Sequence, residues 1–437
     1  MRIWPFWRRM RGHFLAENTL LAWRGMMVLM AGAGIGRIIT IASIPIISRL
    51  YRPDDFGVLA VFTSCILILS PIVTLRYVLA LPVPRSDRIA MNLLVLNTVL
   101  LLVITTCLAL VLWMFGSLFF SQLSMEQLTP WWWLIVLGIL GTSFYEILTM
   151  WATRRRAYKV IAQTSVIQSI AGAFIKITLG LAQLQPSGLL LGQVVAQAGG
   201  VAKILSEFSD DIRKSWQLSS FSRLCRVAYH YKGFPLWRVP SQFLMTIALQ
   251  GPILFMSSYY SIYTVGQFSF AMMVLAVPTN LLGNSAGKAL YAEAARLVNT
   301  DPTSVYKMCR DMQLRLLFIA SPLVVVLWFF GEKLFAVIFG SEWIEAGEYA
   351  SIMAIALLFQ ITSAPMMQVM NLFSKQYVFL YINILRLLSL LIVFFVSVLM
   401  LFDARSTVIL LSYFSTFFYL MITFYVLENL KKLQNGA

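Results

Sequence analysis

Long apolar stretches recur from one end of the chain to the other, and they constrain its fold more than any other feature. Of the 437 residues, 59% are hydrophobic and only 12% are charged, and the mean hydropathy is +0.80. A soluble domain carries about a quarter charged residues. Because a helix needs about 20 apolar residues to cross the hydrocarbon core of a bilayer, the sequence predicts a polytopic membrane protein without a large soluble domain.

The apolar stretches predict helices. They show no strand-like alternation, and each is longer than the strand of a membrane barrel. Windows of about 20 residues give about twelve candidate spans, and the predicted fold is therefore all-α. The spans are 26–47, 57–81, 91–115, 131–151, 161–183, 188–206, 241–260, 266–287, 313–330, 346–370, 376–401 and 406–427.

Lysine and arginine alternate between the loops on the two sides of these spans. Most of the 34 lie on one side, which includes the N-terminus and the C-terminal segment, whereas the loops of the other side hold Arg49, Arg52, Lys333 and Arg405. The positive-inside rule therefore predicts that both termini are cytoplasmic. The net charge of +16 is explained by this orientation and by contact with anionic lipid headgroups. The cations are spread over short loops, so no nucleic-acid partner is expected.

A weak internal repeat divides the spans six and six. Three pairs of residues recur in the same order and at nearly the same separation: Pro45 with Pro252, Gly57 with Gly266, and Pro71 with Pro278. Chance placement in apolar helices is the alternative explanation. We predict an N-terminal lobe at 1–206, a cytoplasmic connecting loop at 207–240 and a C-terminal lobe at 241–437. Two parallel repeats predict pseudo-symmetric six-helix lobes around a central cavity.

Charged residues inside the spans are the strongest functional signal. Arg37 and Arg386 lie near the middle of their spans, Arg76 lies nearer a cytoplasmic end, and Lys176 lies in an outer half. Glu146 is the one carboxylate well inside a span. Intramembrane charges usually face a bundle interior or a wet cavity, so this excess of cations predicts a cavity for an anionic ligand. Arginine suits phosphate because it stays charged and can bind it bidentately.

Structural explanations remain open for each of these residues. Arg37 and Arg386 could be packing arginines, Arg76 could extend its side chain to the headgroups, and Lys176 could be structural. Glu146 could form an ion pair with one of the cations, or it could carry a proton or another coupling ion. The small residues of the run "AGAGIG" before Arg37 could leave room for a ligand or simply let two helices pack closely.

No enzymatic motif accompanies these charges. The chain has no Gly-rich phosphate loop with a lysine, no HExxH and no suitably spaced pair of carboxylates. The four cysteines lack CxxC spacing. We therefore expect no enzyme, no metal site and no cofactor. The longest outer loops, 116–130 and 331–345, are short, which argues against chemistry on the outer face.

Five segments carry a resemblance to a known family. They are "SRLYRPDDFGVLAVF" (48–62), "TRRRAYKVIAQTSVIQSI" (153–170), "GLLLGQVVAQAGG" (188–200), "VGQFSFAMMVLAVPTNLLGNSAGKALYAEAA" (265–295) and "FGSEWIEAGEYASIMAIALLFQITSAPM" (339–366). The chain resembles the lipid-linked oligosaccharide flippases of bacterial O-antigen, capsule and exopolysaccharide pathways, within the multidrug/oligosaccharidyl-lipid/polysaccharide exporter superfamily. The last two segments are the most specific.

The resemblance implies a substrate and a location. It implies that an undecaprenyl-diphosphate-linked oligosaccharide is flipped to the outer leaflet of the inner membrane by alternating access. Basic residues of early helices line the cavity in this family, and Arg37 and Arg76 match that role by placement. Lys176 and Arg386 are assigned from depth alone. The expected partners are the lipid-linked sugar, membrane lipids, and polysaccharide polymerase and chain-length machinery.

Three alternatives remain. A peptidoglycan-precursor flippase of the same superfamily usually carries two extra helices, and none is visible in the sequence. A drug or cation antiporter predicts acids in the spans, which this chain nearly lacks. A membrane polymerase or glycosyltransferase acting on the same lipid-linked sugars predicts a long outer loop.

Overall fold

The described part of the protein consists of helices joined by short turns. The structure, a computed structural model, describes residues 4–122, 124–217, 220–297, 301–370 and 376–435, and no strand occurs in these ranges. The side chains of residues 4–26, 215, 217, 292, 302, 376–380 and 433–435 lie outside the description.

The α-helices are named here in chain order. They are α1 (Trp4–Leu50), α2 (Pro53–Val73), α3 (Asp87–Gln122), α4 (Trp132–Arg154), α5 (Tyr158–Leu181), α6 (Ser187–Ala198), α7 (Val201–Glu207), α8 (Ser209–Gln217), α9 (Phe221–His230), α10 (Val239–Tyr259), α11 (Ile262–Pro278), α12 (Ser285–Leu297), α13 (Pro302–Phe339), α14 (Ile344–Ile352), α15 (Ala354–Met370), α16 (Gln376–Leu399) and α17 (Ala404–Asn435). Short 3₁₀ or π segments are Tyr77–Ala80, Glu126–Trp131, Phe234–Arg238, Thr279–Asn284 and Ser341–Trp343.

The predicted polytopic all-α fold is confirmed. In the part of the chain that the structure describes, 11 helical segments are long and apolar enough to cross a membrane. The pair Ser341–Ile352 and Ala354–Met370, bent by 58°, brings the number to as many as 12. Each segment overlaps one predicted span in order, so the hydropathy pattern located the spans correctly.

The predicted second span, 57–81, is wrong in its last part. The helix α2 ends at Val73, and Leu75 and Arg76 adopt left-handed backbone conformations with φ of 44° and 56°. Such a conformation costs a non-glycine residue about 1–2 kcal/mol. The apolar side chains run on through the turn, so a hydropathy window cannot detect it. The turn redirects the Arg76 side chain.

The two segments predicted as outer loops, 116–130 and 331–345, are largely helical. The helix α3 continues to Gln122 and α13 continues to Phe339, so the irregular connections are shorter than predicted. The connecting loop at 207–240 also contains helices, α8 and α9, followed by a π segment. In each case the chain keeps its backbone hydrogen bonds beyond the apolar window, which hydropathy does not report.

The chain divides into two compact units. The first consists of Met1–Leu50, Cys65–Phe119 and Thr129–Gln242, and the second consists of Tyr51–Ser64, Phe120–Leu128 and Phe243–Ala437. The start of α2 therefore belongs to the second unit and its end to the first.

Small residues hold the first unit together at the α1–α5 contact. A Cβ atom added to Gly32 would lie 2.5 Å from the Cβ of Ala162, and one added to Gly36 would lie 2.8 Å from the Oγ of Ser169. Glycines four residues apart on one helix face permit such close approach. Close helix packing therefore explains two glycines of the run before Arg37.

An ion-pair cluster forms one end of the first unit. Asp87 accepts from Arg154 at 2.7 Å and from Arg155 at 3.3 Å, and Arg155 also contacts Asp211 at 2.9 Å. The guanidinium of Arg155 lies 5.1 Å from the ring of Trp151. The cluster joins the start of α3, the end of α4 and α8. Three loops that the charge pattern assigns to the same side thus meet at one end of this unit.

The second unit has an aromatic core near the start of α2. The ring of Trp343 lies 3.9 Å from Phe270 in a stacked arrangement and 5.0 Å from Phe56 in an edge arrangement. At the end of this unit, Arg405 pairs with Glu348 at 2.8 Å. These two residues lie in or next to segments predicted as outer, so the predicted outer loops of this unit also meet.

Candidate functional site

The five candidate residues are divided between the two units. Arg37, Arg76, Glu146 and Lys176 belong to the first unit, and Arg386 belongs to the second. Only Arg76 and Glu146 are in direct contact among these described side chains.

Arg37 is exposed on α1, next to the face that packs on α5. Gly32 and Gly36 are buried against α5, whereas Arg37 shares a different face with Ala33 and Thr40 at spacings of four and three residues. No carboxylate among the described side chains forms an ion pair with Arg37. Its guanidinium is therefore available to an external anion.

The opposite face of α1 is apolar. Ile35 and Ile38 are 50% and 66% exposed and lie at other angles around the helix from Arg37. Large exposed apolar side chains on a spanning helix suit contact with lipid tails. Met30, seven residues before Arg37 and on the same face, is also 61% exposed, so Arg37 is a charge on a largely apolar helix surface.

Arg76 and Glu146 form an ion pair. The Nη1 atom of Arg76 donates to the Oε1 atom of Glu146 at 2.9 Å, and their side chains are 13% and 29% exposed. The left-handed turn at Arg76 brings its side chain to α4. Arg76, one of the four predicted cations, is therefore neutralised by Glu146. An ion pair with a cation was one of the two interpretations of Glu146 from the sequence.

Lys176 lies at the α5–α6 contact. Its Nζ atom donates to the Oε1 atom of Gln193 at 2.8 Å, and its side chain is half-buried. Helices α5 and α6 approach each other closely at this point, since a Cβ atom added to Gly192 would lie 2.3 Å from the Cγ atom of Lys176. The position of Lys176 is therefore defined by helix packing.

Arg386 lines a cavity inside the second unit. The cavity has a volume of about 130 Å³ and is mostly apolar. The guanidinium carbon of Arg386 lies 5.5 Å from the centre of the Phe418 ring, a cation–π contact. Gln360 and Ser415 are among the polar residues of the wall.

Several amide side chains of the predicted spans hold helices together. Gln168 donates to the carbonyl oxygen of Gln197 at 2.7 Å, and Thr142 donates to the Gln197 side chain at 3.0 Å. Gln250 accepts from Ser64 at 3.3 Å and so links α10 to α2. These contacts are interhelical hydrogen bonds of the kind that stabilise membrane bundles.

Two features escaped prediction. The charge pattern of the loops does not predict the ion-pair cluster of Asp87, Arg154, Arg155 and Asp211, although acids accompany the cations in these loops. Lys159 and Lys203 line an open groove of about 680 Å³ in the first unit. Their separation in sequence hides this proximity. No cluster of three metal-binding side chains occurs among the described residues.

Sequence comparison decides the family. A profile described as polysaccharide biosynthesis protein matches residues 46–348. The chain belongs to the polysaccharide biosynthesis protein family. The match includes Arg76, Glu146 and Lys176, whereas Arg37 and Arg386 lie outside it. No curated protein matches the sequence.

The fold of this polysaccharide biosynthesis protein is that of known transporters. Lipid II flippase MurJ in an inward closed conformation has a TM-score of 0.69 at 12% identity, with 93% of this chain and 90% of that chain covered. An inward-facing multidrug resistance MATE family transporter of the MOP superfamily has a TM-score of 0.66 at 14% identity, with 93% and 96% covered. The Vibrio cholerae MATE transporter VcmN in the bent form has a TM-score of 0.53 at 13% identity, with 96% and 99% covered.

These identities are low, so the similarity shows the fold alone. It agrees with the predicted exporter superfamily, the resemblance to which is confirmed. The polysaccharide biosynthesis protein is a multi-pass membrane protein with the fold of that superfamily.

Proposed function

We propose that this protein flips an undecaprenyl-diphosphate-linked oligosaccharide from the cytoplasmic to the outer leaflet of the bacterial inner membrane. Both termini lie in the cytoplasm in this proposal, and transport proceeds by alternating access. The family description supports a role in polysaccharide biosynthesis. The transporter fold supports movement of a substrate rather than a reaction on it.

The observation that carries the proposal is the uncompensated guanidinium of Arg37. It stands on a spanning helix whose described residues, from Met27 to Leu50, contain no Asp or Glu. A charge in hydrocarbon is costly, and no described carboxylate offsets this one. The phosphates of a lipid diphosphate supply the missing negative charge and match the planar donor geometry of arginine.

The other candidate residues have narrower roles in the proposal. Glu146 already accepts from Arg76, so a coupling role requires this ion pair to open as a proton or ion is exchanged. Substrate contact by Arg76 and Lys176 stays a prediction; the same prediction for Arg386 competes with a different role, since Arg386 lines a cavity inside the second unit. Polymerase and chain-length machinery remain the expected partners, and no nucleic acid is expected.

A peptidoglycan-precursor flippase is the second candidate. The TM-score of 0.69 to a lipid II flippase favours it, and a cationic site suits both kinds of lipid-linked sugar. A drug or cation antiporter is disfavoured because Glu146, the acid well inside a predicted span, is paired with Arg76. A polymerase is disfavoured by the short outer connections.

Replacement of Arg37 tests the proposal. In cells that depend on this gene, Arg37→Ala should lower surface polysaccharide about tenfold or more, because a lost charged hydrogen bond is worth about 1.5–3 kcal/mol. Undecaprenyl-linked repeat units should accumulate, as measured by mass spectrometry of the lipid extract. Arg37→Lys should retain part of the output.

The matched control is Arg296→Ala. Arg296 is 77% exposed and pairs only with Glu293 on its own helix among the described residues. This variant should keep normal output. If Arg37→Ala is present at the normal amount in the membrane and polysaccharide output is unchanged, the proposal is wrong. Accumulation of peptidoglycan precursor instead of repeat units would select the second candidate.

A further inference from the structure

The cavity around Arg386 has the properties of a separate ligand site. It lies entirely within the second unit, and its walls come from α10, α11, α15, α16 and α17, with Met353 just before α15. Most of the wall is apolar, with Phe268, Leu357 and Phe414 among its residues. A half-buried guanidinium in such surroundings requires a compensating partner.

No acid of the surrounding helices supplies that partner. The described sequences of α10, α11, α15 and α16 contain no Asp or Glu. On α14, Glu345 accepts from Tyr349 and Glu348 pairs with Arg405. On α17, Glu428 pairs with Lys432. Among the described residues, Arg386 has a ring contact with Phe418 and no ion pair.

The cavity also offers neutral hydrogen-bond donors. The side chains of Gln360 and Ser415 line it and make no hydrogen bond to other described residues. Ser389 is different, because its hydroxyl donates to the backbone oxygen of Arg386 at 2.7 Å. One cation and two uncommitted neutral donors thus converge on one space. The positive charge of Arg386 favours an anion in this space and repels a metal ion.

Charge balance decides which anion fits. One guanidinium neutralises one negative charge, whereas a lipid diphosphate brings about two into walls that are otherwise apolar. A second buried negative charge without a partner is costly. The volume of about 130 Å³ accommodates a halide ion with several waters, since one water needs about 10–15 Å³.

We propose that the Arg386 cavity binds a monovalent inorganic anion, chloride, that is distinct from the transported lipid. Arg386 supplies the charge, and Gln360 and Ser415 supply hydrogen bonds. The bound anion neutralises α16 within the second unit. This proposal does not depend on the identity of the transported substrate, because chloride binds this cavity in the absence of the lipid.

Chloride-dependent stability of the purified full-length protein tests the proposal. Thermal unfolding is followed in detergent in sodium chloride and in sodium gluconate of equal ionic strength. Chloride should raise the midpoint by about 2 °C or more, since a ligand that binds only the folded state stabilises it. Arg386→Gln should abolish the chloride effect, and Arg386→Lys should retain part of it.

Two control variants separate this site from other cations. Arg296→Gln, at an exposed ion pair, and the outer-segment variant Arg405→Gln should both keep the full chloride effect. If Arg386→Gln does not fold, Gln360→Met provides the second test, because it should raise the chloride concentration for half-maximal effect about tenfold, the equivalent of one lost hydrogen bond. Bromide in place of chloride should give an anomalous scattering peak beside Arg386 in crystals.

Three results would overturn the proposal. The first is a chloride effect of equal size in wild type and Arg386→Gln. The second is no chloride effect in wild type. The third is that a short-chain polyprenyl diphosphate, and not chloride, stabilises the wild type and that Arg386→Gln removes this stabilisation. That result would assign the cavity to the substrate phosphates.

Discussion

Gly57 and Gly266 lie against each other where α2 and α11 begin. A Cβ atom on Gly266 would stand 1.8 Å from the carbonyl oxygen of Pro53, and one on Gly57 would stand 2.3 Å from the carbonyl oxygen of Ile262. Glycine alone permits this backbone approach. The same two glycines are matching positions of the predicted repeat, so two residues that the repeat pairs with each other are in contact.

The glycine contact should tolerate no side chain. Gly266→Ala should lower the free energy of unfolding by about 1–3 kcal/mol, because backbone atoms must move to admit the methyl group. Thermal unfolding of the purified protein measures the loss. Gly251→Ala is the control, since a Cβ there meets only Phe394, at 3.9 Å, and alanine is the better helix former. Equal melting of the two variants would contradict the close contact.

The Arg76–Glu146 ion pair should appear as energetic coupling. Arg76→Gln and Glu146→Gln should each destabilise the protein by about 1–3 kcal/mol, because each leaves a partly buried charge without its partner. The double variant should cost less than the sum of the two, as a double-mutant cycle measures. Additive losses would mean that the two side chains do not interact in the folded protein.

Lys176 can be tested separately for packing and for substrate contact. Lys176→Met should destabilise the protein because Gln193 loses its donor, and the double variant Lys176→Met/Gln193→Leu should recover much of the stability. We expect transport by the double variant to stay low, since the cation is gone. Normal polysaccharide output from this stable double variant would show that Lys176 only holds α5 to α6.

Asp403 should stabilise the start of α17 in a pH-dependent way. Its Oδ1 atom accepts from the backbone amide of Ser406 at 3.1 Å. Hydrogen bonds from the Ser406 side chain and amide lower the pKa of Asp403 below its ordinary value of 3.8. A lowered folded pKa means that this contribution is complete above pH 3.8 and is lost as the pH falls through the folded pKa.

Substitution measures this cap. Asp403→Ala should lower the free energy of unfolding by about 0.5–1 kcal/mol at neutral pH. Asp403→Asn should cost less, because asparagine also caps helices. The difference in free energy of unfolding between wild type and Asp403→Ala should become smaller in acid. A difference that grows in acid would contradict the lowered pKa of Asp403.

Prediction from sequence succeeded where the signal is local. The spans follow from runs of apolar residues and are confirmed, whereas the cytoplasmic assignment of loops, made by counting Lys and Arg, stays a prediction. Both depend on composition over about 20 residues, which the bilayer itself selects. Within each unit, loops with the same predicted side meet, as Asp87 with Arg154 and Arg405 with Glu348 demonstrate.

Prediction failed where backbone geometry overrides hydropathy. The second span ends early because Leu75 and Arg76 turn left-handed, although the side chains around them stay apolar. A depth for Arg76 that is counted along a continuous second helix is therefore wrong, because α2 ends at Val73. At 116–130 and 331–345 the difference has the opposite sign, because α3 and α13 continue beyond their apolar windows; the predicted outer side of these segments stays a prediction.

The sequence by itself determined that the chain is an all-helical membrane protein with an excess of intramembrane cations. Only the tertiary structure decided what each cation faces. Arg76 meets Glu146 across 70 positions of sequence, Lys176 meets Gln193, and Arg386 faces a cavity assembled from several helices. The physical reason is that an ion pair or a cavity depends on how distant helices pack, and packing is set by close contacts such as that of Gly57 and Gly266.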